Sequence, residues 1–289
     1  MLMQKISFMV ATIAFGVGVN AMQEIAGDAD DPIAPVNQGR LSFSLGAETT
    51  SAYFFRGYVQ EDQGFIFQPW AELGVMIVEG MDDSPGVSLV FGNWNSHHSE
   101  KTGATEANVR SWYESDFYGG ITLDWDEFSL GASYTIYTYP NSDFNTVQEV
   151  GVTAGYAPPE DTVVKKVLGD ISLGVHFEAD NSNVTTEEAI YMELGFGPSF
   201  DIFDGNATLS IPVTIGFSLN DYYPDDSGDD FFGYAGVGAD VAIPLESGAY
   251  GEWTLNVGGN LLLLGPAAEA ANSGDDVAVY GYLGLTLSY

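Results

Sequence analysis

Carboxylates at one parity are the residues of this chain best placed to do chemistry. Glu48, Glu72, Glu114, Asp116, Glu149, Glu178, Glu193 and Asp240 each fall on the polar side of a run that alternates apolar with polar residues, and Arg56 falls there too. A period of two sends successive side chains to opposite faces of a strand, so these residues share a face. The same face carries glycines such as Gly46, Gly74, Gly151 and Gly258, and larger residues such as Tyr118, Tyr137 and Tyr234. Acids lining a wet passage concentrate cations and repel anions. Pairing two runs about a loop centred near residue 143 sets Tyr137 opposite Glu149, and the preceding pair brings Asp116 to Tyr137. Asp116, Tyr137 and Glu149 then form one row. Glu48 and Glu72 fall diagonally across the first hairpin, where like charges repel unless a cation or a proton relieves them. Arg56 is the only basic residue on this face. It either sets a transverse field against the acids or pairs with one of them and pins the first loop.

Two other groups invite a chemical reading. His97 and Ser99 are two residues apart, and a base beside a serine hydroxyl is the minimum for a nucleophile. They enter a Gly/Thr/Lys loop, SEKTGAT, with no third group in sequence to orient the histidine. The chain is therefore expected not to be an enzyme. Asp221 to Asp230, DYYPDDSGDD, is dense in carboxylates but lacks the spacing and closing glutamate of a Ca²⁺ loop, so it reads as a solvated acidic loop with low-affinity divalent bridging as the alternative. No metal site and no cofactor is expected. Cysteine is absent, which removes disulfides and thiolate ligands. With 7 Lys plus Arg against 41 Asp plus Glu and a net charge of −34, no basic stripe exists for nucleic acid.

The elements that must position the acids repeat one figure, an alternating run followed by a Gly/Asp/Asn/Pro break. Residues 1–21 read as a secretory signal, with Lys5 before an apolar stretch and Val19-Asn20-Ala21 as a cleavage site. Residues 22–39 form an acidic, proline-marked periplasmic leader. In 40–289 we read about twelve strands, near 41–57, 65–78, 86–95, 112–124, 127–139, 147–157, 170–180, 189–201, 207–219, 231–244, 251–264 and 277–289. An even number puts both ends on one side of a membrane, and the runs are long enough to cross a bilayer when tilted. The apolar ladders, such as Leu209-Ile211-Val213-Ile215, carry no charge in a chain that is 17% charged. Lipid imposes that exclusion; a soluble sandwich does not. Aromatics gather at run ends, with Tyr53, Phe55, Phe65, Phe67 and Tyr113 at one rim and Trp125, Phe128, Phe200, Trp253 and Tyr289 at the other. The connection 158–169 is longer than an inner turn needs.

The last run, VAVYGYLGLTLSY, ends on an aromatic and resembles the closing strand of bacterial outer-membrane barrels. That resemblance implies recognition by the barrel-assembly machinery through Leu285, Leu287 and Tyr289. The words Thr50-Ser51-Ala52-Tyr53-Phe54-Phe55-Arg56-Gly57-Tyr58-Val59-Gln60, then Gln68-Pro69 and Gly92-Asn93-Trp94-Asn95-Ser96, resemble the pattern of the TorF-like porin family over the first third of the mature chain.

The expectation is an all-β, transmembrane up-and-down β-barrel of about twelve antiparallel strands in the outer membrane of a Gram-negative bacterium. It would contact outer-membrane lipid and lipopolysaccharide and act as a porin-like, cation-favouring channel for small solutes. The alternatives are a barrel acyl hydrolase using His97 and Ser99, and a structural or surface-interaction barrel with a plugged lumen.

Overall fold

The computed structural model describes residues 40–81, 84–100, 111–141, 144–179, 188–225, 228–245 and 251–289. The signal and leader segments lie outside the described residues. The chain runs β1 (Leu41–Thr50), a small inserted pair β2 (Tyr53–Phe55) and β3 (Tyr58–Glu61), then β4 (Ile66–Val78), β5 (Gly86–His98), β6 (Trp112–Trp125), β7 (Phe128–Thr138) and β8 (Val147–Tyr156). A short helix α1 (Val163–Leu168) leads to β9 (Asp170–Glu178), β10 (Ala189–Gly197), β11 (Ser199–Ile202), β12 (Ala207–Ser210) and β13 (Val213–Asn220). A second inserted pair, β14 (Pro224–Asp225) and β15 (Gly228–Asp229), precedes β16 (Phe232–Pro244), β17 (Glu252–Leu264), helix α2 (Pro266–Ala271) and β18 (Val277–Ser288).

These strands make twelve staves of one closed antiparallel barrel. β10 continues into β11, and β12 into β13, with breaks at Pro198 and at Ile211-Pro212, where a ring without an N–H cannot join the ladder. Ile211 N donates to Pro198 O at 3.0 Å, so the two broken staves stay paired across the interruption. Closure comes from β1 on β18, in register from Ser44↔Ser288 to Thr50↔Tyr282. The terminal Tyr289 extends that seam, exchanging backbone hydrogen bonds of 2.9 and 2.8 Å with Phe43.

The faces separate as the alternation requires. Outward ladders present Phe91, Phe117, Val152, Val257, Leu261 and Leu283 as exposed apolar side chains, and none of their described positions is charged. Leaving that much apolar surface outside is stable only in hydrocarbon. No helix among the described residues is long and apolar enough to cross a membrane; the strands do so. Tight turns join the staves at one end, as at Asp126, where φ is 49°, and at Phe203-Asp204-Gly205, where φ is 54°, 59° and 84°. We call this the turn end, and its opposite the loop end.

The long turn-end connection folds into α1. Thr162 Oγ1 accepts from Lys165 N at 3.1 Å, and Gly169, at φ 65°, stops the helix. Burial would lower the pKa of Lys165, but its ammonium donates to Asp170 at 2.8 Å and faces Glu160 at 3.3 Å, so the net shift is upward.

One expected stave is shorter than its run. Alternation continues from Leu41 through Gly57, yet β1 stops at Thr50. Thr50 Oγ1 donates to Ala52 O at 2.8 Å and Ser51 N to Gly281 O at 2.9 Å. The chain then turns into the barrel. Tyr53 and Phe55, expected at a rim, are 4% and 7% exposed, and Tyr113 is 1% exposed. All of them face the lumen. Phe65, Phe67, Trp125, Phe128, Phe200 and Tyr289 do stand exposed at the ends of staves.

Candidate functional site

The element that defines the lumen is the hairpin β2–β3. Its two-residue turn, Phe55-Arg56-Gly57-Tyr58, has φ of 48° at Arg56 and 86° at Gly57. Two consecutive positive φ values match the twist of an antiparallel pair and turn the chain in the least space. The strain at Arg56 is tolerated because its side chain is held at the far end. The guanidinium makes a bidentate bond to Glu149 of β8, Nη1 to Oε2 at 2.7 Å and Nη2 to Oε1 at 3.0 Å. Nη1 also lies 3.6 Å from Glu178 of β9, and the guanidinium carbon stands 4.1 Å from the centroid of Tyr191 of β10. Tyr222 Oη accepts from Nη1 at 3.1 Å. Arg56 is 2% exposed, so a charge that would be costly to bury alone is matched by a forked partner and an aromatic face.

Other loop-end segments hold the hairpin there. Asn272, just past α2, donates to Gly57 O at 2.7 Å and accepts from Val59 N at 2.8 Å. Tyr223 Oη donates to Arg56 O at 3.0 Å. Asp229 accepts from Ser218 Oγ at 2.6 Å, Asp221 N at 2.9 Å and Tyr223 N at 3.1 Å, so part of the acidic loop is an internal brace rather than a solvated run. Around these bonds two aromatic clusters fill the loop end, one about Tyr53, Phe55, Trp94 and Tyr113, the other about Tyr191, Tyr222, Tyr223 and Tyr234.

The expected row is brought together with one change of register. Asp116 is directly opposite Tyr137, but Tyr137 is opposite Val147, and Glu149 is opposite Thr135. The Tyr137 hydroxyl reaches across the diagonal to donate to Glu149 Oε1 at 3.1 Å. His176 Nδ1 lies 3.0 Å from the same oxygen. Asp116 is 0% exposed, and among the described residues no side chain hydrogen-bonds its carboxylate. Glu114 accepts from Tyr53 Oη at 2.8 Å, and Glu193 from Tyr191 Oη at 2.7 Å.

Toward the turn end the acids spread out. Glu48 pairs in register with Gln68, and Glu72 with Ser44, so the expected diagonal contact of Glu48 with Glu72 does not form. The intervening hairpin takes up residues that a simple turn would have left to the ladder. Glu72 instead accepts from Tyr118 Oη at 2.9 Å. Asp240 faces inward from β16, opposite Gly258. Large rings lie flat on the wall here. The space a Cβ would need at Gly92 is filled by Tyr118, at Gly258 by Tyr282, and at Gly46 by Trp70, whose Nε1 would be 2.6 Å away.

The hydrolase candidates part company. β5 extends through His98, so His97 is on a strand and not in a loop. It points outward, its ring 6.0 Å from Trp112 and 6.4 Å from Phe67. Ser99 Oγ accepts from Phe65 N at 2.8 Å. The inward neighbours make a closer arrangement that the sequence reading missed. Ser96 Oγ is 2.8 Å from His98 Nε2, and His98 Nδ1 is 3.8 Å from Glu61 Oε2. Serine, imidazole and carboxylate in that order are the parts of an acyl-transfer triad. Two facts argue for a lock instead. Ser96 is 0% exposed, and Glu61 rides on the hairpin, so any motion admitting substrate to Ser96 removes the carboxylate.

No family model and no curated protein matches this chain. Among solved structures it is similar to an outer-membrane channel from Pseudomonas putida F1, with 13% identity over 91% of this chain and 99% of that one, and a TM-score of 0.48. It is also similar to the KdgM porin, with 6% identity, 86% and 99% coverage and a TM-score of 0.42. The outer membrane phospholipase A of Escherichia coli gives 8% identity, 85% and 92% coverage and a TM-score of 0.44. The class of protein is defined by its own strand pairing, a twelve-stave transmembrane up-and-down barrel. Likenesses this distant add nothing about activity.

Proposed function

We propose that the chain is a porin-like channel of the Gram-negative outer membrane that passes small solutes, favours cations, and is closed at its loop end by the β2–β3 hairpin. The observation that carries this is the wall below the hairpin. Glu48, Glu72 and Asp240 face inward there among glycines, and rings that could fill the axis lie flat on those glycines instead. A barrel built only as a scaffold needs no such economy, because twelve staves enclose more space than eight. In this reading the long connections are extracellular and both termini periplasmic, with residues 1–21 removed on export. The likeness of the first hairpin to TorF-like porins is part of the same proposal, as is contact with outer-membrane lipid and lipopolysaccharide. The closing strand would be read by the assembly machinery through Leu285, Leu287 and Tyr289. Deleting the last three residues should then leave the protein degraded or periplasmic; normal membrane levels would count against it.

Planar-bilayer recording tests the channel. Wild type should be closed for most of the record, with brief cation-selective openings, and a variant lacking residues 52–63 should conduct continuously. A hairpin-deleted barrel that assembles but does not conduct would overturn the channel. It would favour the second reading, a structural barrel, which the burial of Arg56 already recommends. Ser99→Ala should leave any background esterase activity unchanged; its loss would revive the enzyme.

A further inference from the structure

The carboxylate partners of Arg56 and the ring of Tyr191 belong to the wall, whereas Arg56 and the loop residue Tyr222 do not. Glu149, Glu178 and Tyr191 stand on three adjacent staves, β8, β9 and β10, where strand pairing fixes their positions whether or not the hairpin is present. Glu149 is further oriented by Tyr137 and His176, both of them wall residues. Arg56 arrives from a hairpin that is not a stave and is held by hydrogen bonds from loops and from β6, through Glu114 and Tyr113. We infer that Glu149, Glu178 and Tyr191 form a binding site for guanidinium-bearing cations, and that Arg56 is its tethered occupant.

The chemistry of the site is selective. A carboxylate offering both oxygens in one plane matches the two parallel N–H groups of a guanidinium, which a spherical ammonium or a metal ion cannot use in the same way. The ring of Tyr191, 4.1 Å from the guanidinium carbon, supplies a face for the flat cation. Glu178 at 3.6 Å is a second carboxylate for the same charge. The wall therefore offers two carboxylates to one guanidinium. A solute with a guanidinium and a further amine, such as an amidated arginine, fits that pair.

An occupant tethered by a short hairpin competes as if present at about millimolar concentration or above, so a free ligand must be abundant to displace it. Displacement takes away the forked anchor on Glu149 and leaves the hairpin held to the wall by Tyr53 on Glu114 and by Tyr113 on Gln60; a hairpin loosened in this way carries Glu61 away from His98. Ligand would then open the barrel; this last step rests on the channel reading, whereas the binding does not.

The test uses the full refolded barrel in detergent, with L-argininamide and methylguanidinium as probes and tetramethylammonium as a cation without donors. Arg56→Ala empties the site and should bind both guanidinium probes by calorimetry. It should bind tetramethylammonium at least about tenfold more weakly, and adding Glu149→Gln should weaken guanidinium binding by at least about tenfold. Equal affinities for the three cations, or no effect of Glu149→Gln, would overturn the site. Should Arg56→Ala not fold, the wild-type arm decides. The chain has no cysteine, so Ala52→Cys, at a position 7% exposed where the chain enters the hairpin, reports release by maleimide labelling. Argininamide at tens of millimolar should speed that labelling several-fold over equal tetramethylammonium, and an unchanged rate would overturn the proposal. A barrel that binds argininamide but never conducts would keep the site and remove the channel.

Discussion

The two ends of the lumen solve the same problem in opposite ways. At the turn end, inward carboxylates are spread over β1, β4 and β16, with Tyr118 on Glu72 and rings pressed onto glycines. At the loop end, a piece of chain that is not a stave enters the barrel, and charge is paired with charge in a space nearly without water. The difference shows what each half can tolerate. A wall of dispersed groups tolerates the loss of one; a buried pair does not, because the surviving charge keeps its desolvation cost without its partner.

The largest effect is therefore expected at Arg56. Arg56→Ala leaves Glu149 and Glu178 facing one another and should cost about 3–5 kcal/mol of stability, measured by urea unfolding of the refolded barrel. Loss of less than about 1 kcal/mol would mean that water reaches the pair, and the contrast between the two ends would fail. Next in size is a charge on the outside. Val257→Arg puts a cation on the lipid face near mid-stave and should cost about 2–4 kcal/mol, whereas the same arginine at the inward Asn256 should cost less. Equal costs would remove the distinction between lipid and lumen faces. A smaller effect belongs to the glycine seats. At Gly92→Ala the new methyl occupies the place of the Tyr118 ring, which must swing off the wall and give up its bond to Glu72. That should cost about 1–2 kcal/mol and lower the conductance of the hairpin-deleted barrel. Unchanged conductance would mean the ring does not border the path.

How much of this was legible in the sequence follows from which interactions are local. The staves were readable because lipid outside and water inside impose a period of two on every one of them, and β6 and β7, joined by a turn at Asp126, set Asp116 opposite Tyr137 as expected. Where a connection is longer the register drifts. Tyr137 and Glu149 come out two residues from their expected pairing, and Glu48 misses Glu72 because a hairpin intervenes. That hairpin was hidden because Tyr53 to Arg56 continues the alternation of β1, and an Arg-Gly turn lacks the Asn-Gly or Asp-Gly signature of its type. Alternation reports that a segment pairs, and says nothing of its partner. The proximity of Ser96 and His98 to Glu61 depends on that same fold-back, so no spacing in the sequence announces it.

The smallest effect, and the sharpest probe of the turn end, is the double change Glu48→Gln, Glu72→Gln. Both residues are inward, neither is in a salt bridge among the described residues, and an amide keeps the shape of each carboxylate. Stability should therefore change by less than about 1 kcal/mol, in contrast to Arg56→Ala. Selectivity should respond where stability does not. In a narrow passage with low-dielectric walls ionised carboxylates raise the local cation concentration, so in alkaline electrolyte, where both acids are ionised, their removal from the hairpin-deleted barrel should move the zero-current potential in a salt gradient toward neutrality. The shift should be clearest in dilute electrolyte, since salt at 0.1 M screens exposed charge within about 10 Å. A zero-current potential that stays cationic after the change would assign selectivity to the acids at the loop end. Anion preference in the parent barrel would overturn the charge argument altogether.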